Sequence, residues 1–184
     1  MKDFLDIVSD IDNMNEGDLV KISDKIWTLG SLENIKKELS PKLFAFHICI
    51  NLIGNWKAGG WNYIIAEMGN LVPYIAETLK MFDFMEMEKA FVSLLECFPK
   101  DTVFNPSDAS YFDVINFLTI KSYKTKGERL SVISLEERKE MMMTFKKRMK
   151  VLDDLTELSW GDDTECSGWK QLLDFIASNY DECE

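Results

Sequence analysis

Histidine occurs once in this chain, as His47, and glycine and proline are scarce, with 9 and 4 among 184 residues. A single histidine leaves a His-based zinc site short of ligands. It also leaves Ser–His–Asp or Cys–His catalysis with one candidate base, and no G-x-S-x-G turn accompanies it. There is no Walker loop and no G-x-G-x-x-G. Cysteine is limited to Cys49, Cys97, Cys166 and Cys183, with no C-x-x-C spacing. That pattern predicts free thiols in a reducing compartment rather than a disulfide framework. No apolar run reaches the about 20 residues of a membrane span. The longest, "LFAFHICINLIGNW", is interrupted by His47, Asn51 and Asn55. The acidic start "MKDFLDIVSDID" is not a leader sequence, so the expected location is cytoplasmic.

What the chain does have is apolar residues, at 46%, and acid. The length and the apolar share predict one domain over 1–184, able to bury roughly 70% of its unfolded surface. Lys and Arg number 21 against 32 Asp and Glu, for a net charge of −11. The distribution is uneven: −5 over residues 1–20, −3 over 21–120, +6 over 121–150 and −9 over 153–184. Direct nucleic-acid binding is disfavoured, because phosphate contacts need a basic face. A basic partner suits this charge better, and self-association into a homodimer is left open.

Helix starts and stops recur along the chain and strand signals are nearly absent, so the expected fold is all-α, with about eight helices. Asp18 or a neighbour opens a first helix that Gly30 closes. Ser31 caps "LENIKKEL". Ser40 then Pro41 reads as an N-cap followed by proline at the first helical position. "KLFAFHICINLIGNW" is apolar on nearly every side and should be the central buried helix. Trp61 starts another segment, Asn70 caps the next, and Pro73 falls in its first turn. Asp83 to Glu86 reads as a capping box, and Asn105-Pro106 opens a further helix. Ser134 to Glu137 is a second box, starting the longest helix, with Leu135, Met142, Phe145, Met149 and Leu152 at core spacing. "WKQLLDFIASNY" closes the chain.

Few constellations suggest chemistry. "DIDNMNEGD" lacks the third oxygen ligand of an EF-hand loop, since Met14 stands there, and its glycine comes late. "GDDTE" at 161–165 reads as a solvated loop. Enzymatic activity is therefore not expected, nor is a metal or other cofactor. The methionines 141–143 and Met149 read as core at helical spacing. Lys146, Lys147, Arg148 and Lys150 either meet an acidic partner or pair with the acidic 153–184 segment. The acids themselves carry two readings. One is solubility alone. In the other they imitate a nucleic acid, since carboxylates three or four residues apart on a helix lie about 5–6 Å apart, near the phosphate step of one strand. Asp153, Asp154 and Glu157 have that step, as do Asp3, Asp6 and Asp10. With Asp162, Asp163 and Glu165, the first three form the candidate partner-binding surface.

Two adjacent glycines stand in "NWKAGGWNYIIAEMGN" at 55–70. This stretch resembles the hallmark of a bacterial helical family named after a DNA-mimic protein, which runs roughly Val-x-Asn-Gly-Gly-Phe-x-Gln-aromatic. Gly59 and Gly60 match it, Trp61 stands for the Phe, Tyr63 falls where the Gln would be, and Ala58 replaces the Asn. "IAETLKMFDFMEMEKAFVSLLECFP" is similar to the family's helix pair, and "VLDDLTELSW" with "WKQLLDFIASN" to its closing segment. The resemblance covers about residues 45–180. It implies an all-helical, non-enzymatic protein that acts as a DNA mimic on the basic surface of a DNA-binding protein. The alternative is an immunity or antitoxin protein whose acidic face neutralises a basic nuclease. The motif residues Gly59, Gly60, Trp61 and Tyr63 are expected to be mostly structural. The glycines would let the 41–57 and 61–68 helices cross closely, with Trp56 and Trp61 packed around the turn.

Overall fold

The computed structural model describes residues 1–8, 14–119, 130, 132–161 and 168–180. Among these it contains nine α-helices: α1 (Phe4–Ile7), α2 (Glu16–Trp27), α3 (Leu32–Glu38), α4 (Pro41–Glu67), α5 (Val72–Met81), α6 (Met85–Leu95), α7 (Ala109–Thr119), α8 (Leu135–Trp160) and α9 (Gly168–Tyr180). A 3-10 turn, Gly69–Leu71, joins α4 to α5. The one β feature among the described residues is an isolated parallel bridge between Lys2 and Leu39. The all-α class is thus observed, and one apolar core runs from Phe4 to Ile176. No helix among the described residues is long and apolar enough to cross a membrane.

Local chemistry explains most of the helix starts. Asn15 caps α2 and Asp18 closes the box as its third residue, while Ser31 and Ser40 cap α3 and α4, with Pro41 in the first turn. Ser134 and Glu137 exchange backbone bonds of 2.9 and 3.2 Å at the start of α8. At the N-terminus Asp3 and Asp6 form a capping box for the short α1. Those two carboxylates therefore serve the local fold, and Asp10 lies outside the described residues.

Four expectations are corrected. Met143, read as core, is 74% exposed, while Met141 and Met142 are half-buried. Asn70 sits inside the 3-10 turn, and α5 starts after Leu71 with no side-chain cap. Asp83 does not cap α6, whose N-cap is Phe84. Instead Asp83 takes φ 60° and closes α5. Its amide donates to Lys80 O, and the Phe84 amide donates to Leu79 O at 2.8 Å. That is the paired closure usually built on glycine, and aspartate tolerates the left-handed region better than most residues. Leu135 is 64% exposed. The buried residues of α8 are Arg138, Phe145, Met149, Leu152, Thr156 and Trp160, and Leu135, although on the same side as Met149, is the first residue of the helix, ahead of the buried stretch.

The centre of the molecule is α4. Nearly every residue from Leu43 to Ile53 is buried, and α2, α3, α5, α7, α8 and α9 all pack on it. Its 27 residues are not one straight rod, since Gly60 breaks them with φ 67° and ψ −173°. With that break included, α4 is one residue longer than α8, which is the longest uninterrupted helix.

Candidate functional site

The Gly60 break and the last turns of α8 form one junction. Gly60 occupies a backbone region open essentially to glycine alone, with no atom near enough to obstruct a side chain. Gly59 is needed for a different reason: a Cβ there would lie 2.6 Å from Tyr63 Cβ. The motif thus uses one glycine for conformation and the other for space. Trp61 follows, fully buried, and its Nε1–H donates to Thr156 Oγ1 on α8 at 2.7 Å. Its ring stacks on Trp160 at 6.4 Å and leans on Phe91 at 5.4 Å. Trp56 meets the same Trp160 edge-on at 5.9 Å. The two tryptophans flanking the glycines are therefore bridged by a third from α8. Tyr63 is 40% exposed.

Because Gly60 holds a backbone conformation that is strained for residues with a Cβ, Gly60→Val is expected to destabilise by roughly 1–3 kcal/mol. Thermal unfolding checks this, and a melting temperature within a degree of wild type would show that the break tolerates a side chain.

Beside the junction opens a cleft of about 390 Å³, lined by Trp56, Lys57, Gly60, Asp153, Glu157 and Gly161. Of the acidic residues singled out in the sequence, Asp153 and Glu157 are brought together here, one turn apart on α8. Burial raises the proton affinity of Asp153, and the neighbouring Asp154 raises it further, against a smaller opposing pull from Lys150. Asp154 is exposed and does not line the cleft. Lys150 Nζ lies 2.9 Å from both of its carboxylate oxygens. Asp162, Asp163 and Glu165 lie outside the described residues, as do Cys166 and Cys183. The basic run pairs only in part with the acids that follow it, since Arg148 turns instead to Glu96 on α6 at 2.9 Å and to the Ser93 carbonyl.

A second polar centre lies deep between α2 and α4, and of its members the sequence marks His47 and Asn51, as polar breaks in an apolar run, but not Ser23 or Trp27. His47 is fully buried. Its Nδ1 lies 3.3 Å from Ser23 Oγ, and Asn51 Nδ2 donates to Ser23 Oγ at 3.1 Å and to His47 O at 2.8 Å. Trp27 Nε1 donates to Asn51 Oδ1 at 3.2 Å, and its ring meets the imidazole edge-on at 4.8 Å. Two donors near Nδ1 favour it as the acceptor, with the proton on Nε2, which has no partner among the described residues. Burial lowers the His47 pKa to about 4. The available signal was a pair of i, i+4 spacings, Ser23 with Trp27 and His47 with Asn51, on otherwise apolar faces. Cys49 and Cys97 are both buried free thiols, and burial raises the pKa of each.

Fold and cleft together define an acidic, all-helical protein with no cluster of His, Cys, Asp and Glu able to hold a metal among the described residues. Compared with known family models, with curated proteins and with solved structures, the chain matches none.

Proposed function

We propose that this protein is a non-enzymatic, acidic interaction protein that acts as a DNA mimic, receiving the basic surface of a DNA-binding protein at the carboxylates of α8. The observation that carries this reading is the cleft shared by Asp153 and Glu157. Its Asp153 carboxylate is half-buried and sits beside Asp154, and together these outweigh the pull of Lys150, while Lys57 is the one cation among the described residues that line the cleft. A guanidinium or ammonium group entering the cleft would relieve both effects. The family resemblance at residues 55–70 points the same way. The non-enzymatic part is supported by His47, which is enclosed and held neutral, and by Cys49, whose thiol burial keeps protonated. Neither is placed to meet a substrate.

The test begins with a partner captured from the native lysate at low salt. Its affinity is then measured for wild type and for the Asp153→Asn, Asp154→Asn, Glu157→Gln triple variant, at two salt concentrations and with duplex DNA as competitor. The variant is expected to bind about ten-fold more weakly at low salt, mainly through slower association, and the gap should shrink at high salt. Its melting temperature should stay close to that of wild type, because relief of the burial penalty on Asp153 offsets loss of the exposed Lys150–Asp154 pair, which contributes little. Equal affinities, or a partner that holds this protein and DNA at once, would leave an acidic surface that serves solubility alone.

A further inference from the structure

Between α6 and α8, away from Asp153 and Glu157, two clefts of about 330 and 630 Å³ share Thr144 and Arg148 and so form one groove. Its apolar lining includes Ala90 and Val151 in one part and Cys97 and Met141 in the other. From Glu137 to Val151 it follows α8 for about 21 Å, the length of a four-turn helix. Among the described residues the charge along it is divided. Lys147 stands in the Val151 part, and Glu137 and Glu140 stand in the other. Arg148, in between, is occupied by Glu96 and the Ser93 carbonyl. Glu140 and Lys147 form no ion pair among the described residues. Glu137 is held firmly ionised by its bonds from Ser134.

We propose that this groove takes an amphipathic helix of a partner protein, lying parallel to α8, with basic first turns against Glu137 and Glu140 and acidic last turns against Lys147. A trench between two helices, with apolar residues in both parts and the Arg148 bridge to α6 between them, is the shape a third helix fills. The division of charge also sets its direction, because the positive end of the ligand helix dipole meets the carboxylates and the negative end meets Lys147. A second copy of this chain is the poorer occupant, since at −11 it is repelled overall. The inference uses a flank of α8 separate from the Asp153 cleft and stands whether or not the mimic reading does.

The experiment titrates the full chain, labelled with ¹⁵N, with two synthetic helical peptides of about 15 residues. Both carry apolar residues at i, i+4, i+7 and i+11. One has lysines in its first turns and glutamates in its last, and the other has these reversed. The matched peptide should shift amides of α6 and α8 around Thr144 and, once each affinity is corrected for the helix content of the free peptide measured by circular dichroism, bind about five-fold tighter than the reversed one. The Glu140→Lys, Lys147→Glu double variant keeps the net charge and exchanges two exposed residues, so it should fold as wild type and prefer the reversed peptide. Equal binding of the two peptides, shifts confined to another face, or no binding at millimolar peptide would each overturn the proposal.

Discussion

Trp61→Ala is expected to lower stability by about 3–5 kcal/mol, the range for truncating a fully enclosed large aromatic residue. The side chain is 0% exposed and touches both Phe91 and Trp160, so its removal leaves a void bounded by rings that cannot close over it. The Thr156 hydroxyl also loses its indole donor, although it keeps its own bond to Leu152 O at 2.7 Å. Trp61→Phe separates the two contributions. It retains most of the ring contact and gives up the hydrogen bond, so it should cost about 1–2 kcal/mol. Urea unfolding of the three proteins measures both differences. A loss below about 1 kcal/mol for Trp61→Ala would mean that the Gly60 junction is not part of the cooperative core.

Stability is expected to fall by about 3 kcal/mol as pH drops from about 6.5 to about 4, owing to His47 alone. The sign follows from which state holds the proton. In the unfolded chain the imidazole takes one up below its ordinary value of 6.5, whereas the buried ring stays neutral until about pH 4. The unfolded state therefore binds more protons across that window. The contribution is complete above it and lost as pH falls through it. Asp18, Asp108 and Glu137, whose carboxyls are held below their ordinary values by local hydrogen bonds, add losses of their own at still lower pH. His47→Gln isolates the histidine, because the slope between pH 6.5 and 4 should flatten whatever the variant costs overall. A direct check needs no variant. As the chain has one histidine, its ring signals in a proton NMR titration are unambiguous and should remain those of neutral imidazole down to about pH 4. A midpoint near 6.5 would place the ring in solvent and remove the prediction.

Much of this fold is written in short stretches of sequence. Asn15 with Asp18, Ser31, Ser40 with Pro41, and Ser134 with Glu137 each act on amides within three residues of themselves, so their effect is the same in any surroundings. The apolar run through α4 and the periodicity of α8 and α9 likewise need no partner to be recognised. The sequence alone thus determined the helical class, the starts of α3, α4 and α8 and the central position of α4. The close helix crossing expected at the glycines gave way to a positive φ at Gly60 with open space around it. Where a residue had two local uses, the tertiary structure chose between them. Asp83 has the side chain of an N-cap for α6, but in the structure it closes α5 at φ 60° and leaves α6 without a side-chain cap. Arg138 falls in the basic 121–150 block, with nothing in its spacing to mark it as buried. It is buried over the Phe117 ring with its Nε donating to Phe117 O at 3.1 Å, because α7 ends where α8 begins to pack. The Trp61–Thr156 bond joins residues 95 positions apart, and Ser23 reaches His47 across 24. The acids divided for the same reason: from their spacing Asp153, Asp154 and Glu157 formed one row, but only packing of α8 against the Gly60 break turned Asp153 and Glu157 into a shared cleft and left Asp154 to Lys150. Spacing along a chain records which side chains share a helix face, and what that face meets is set by contacts between segments far apart in sequence.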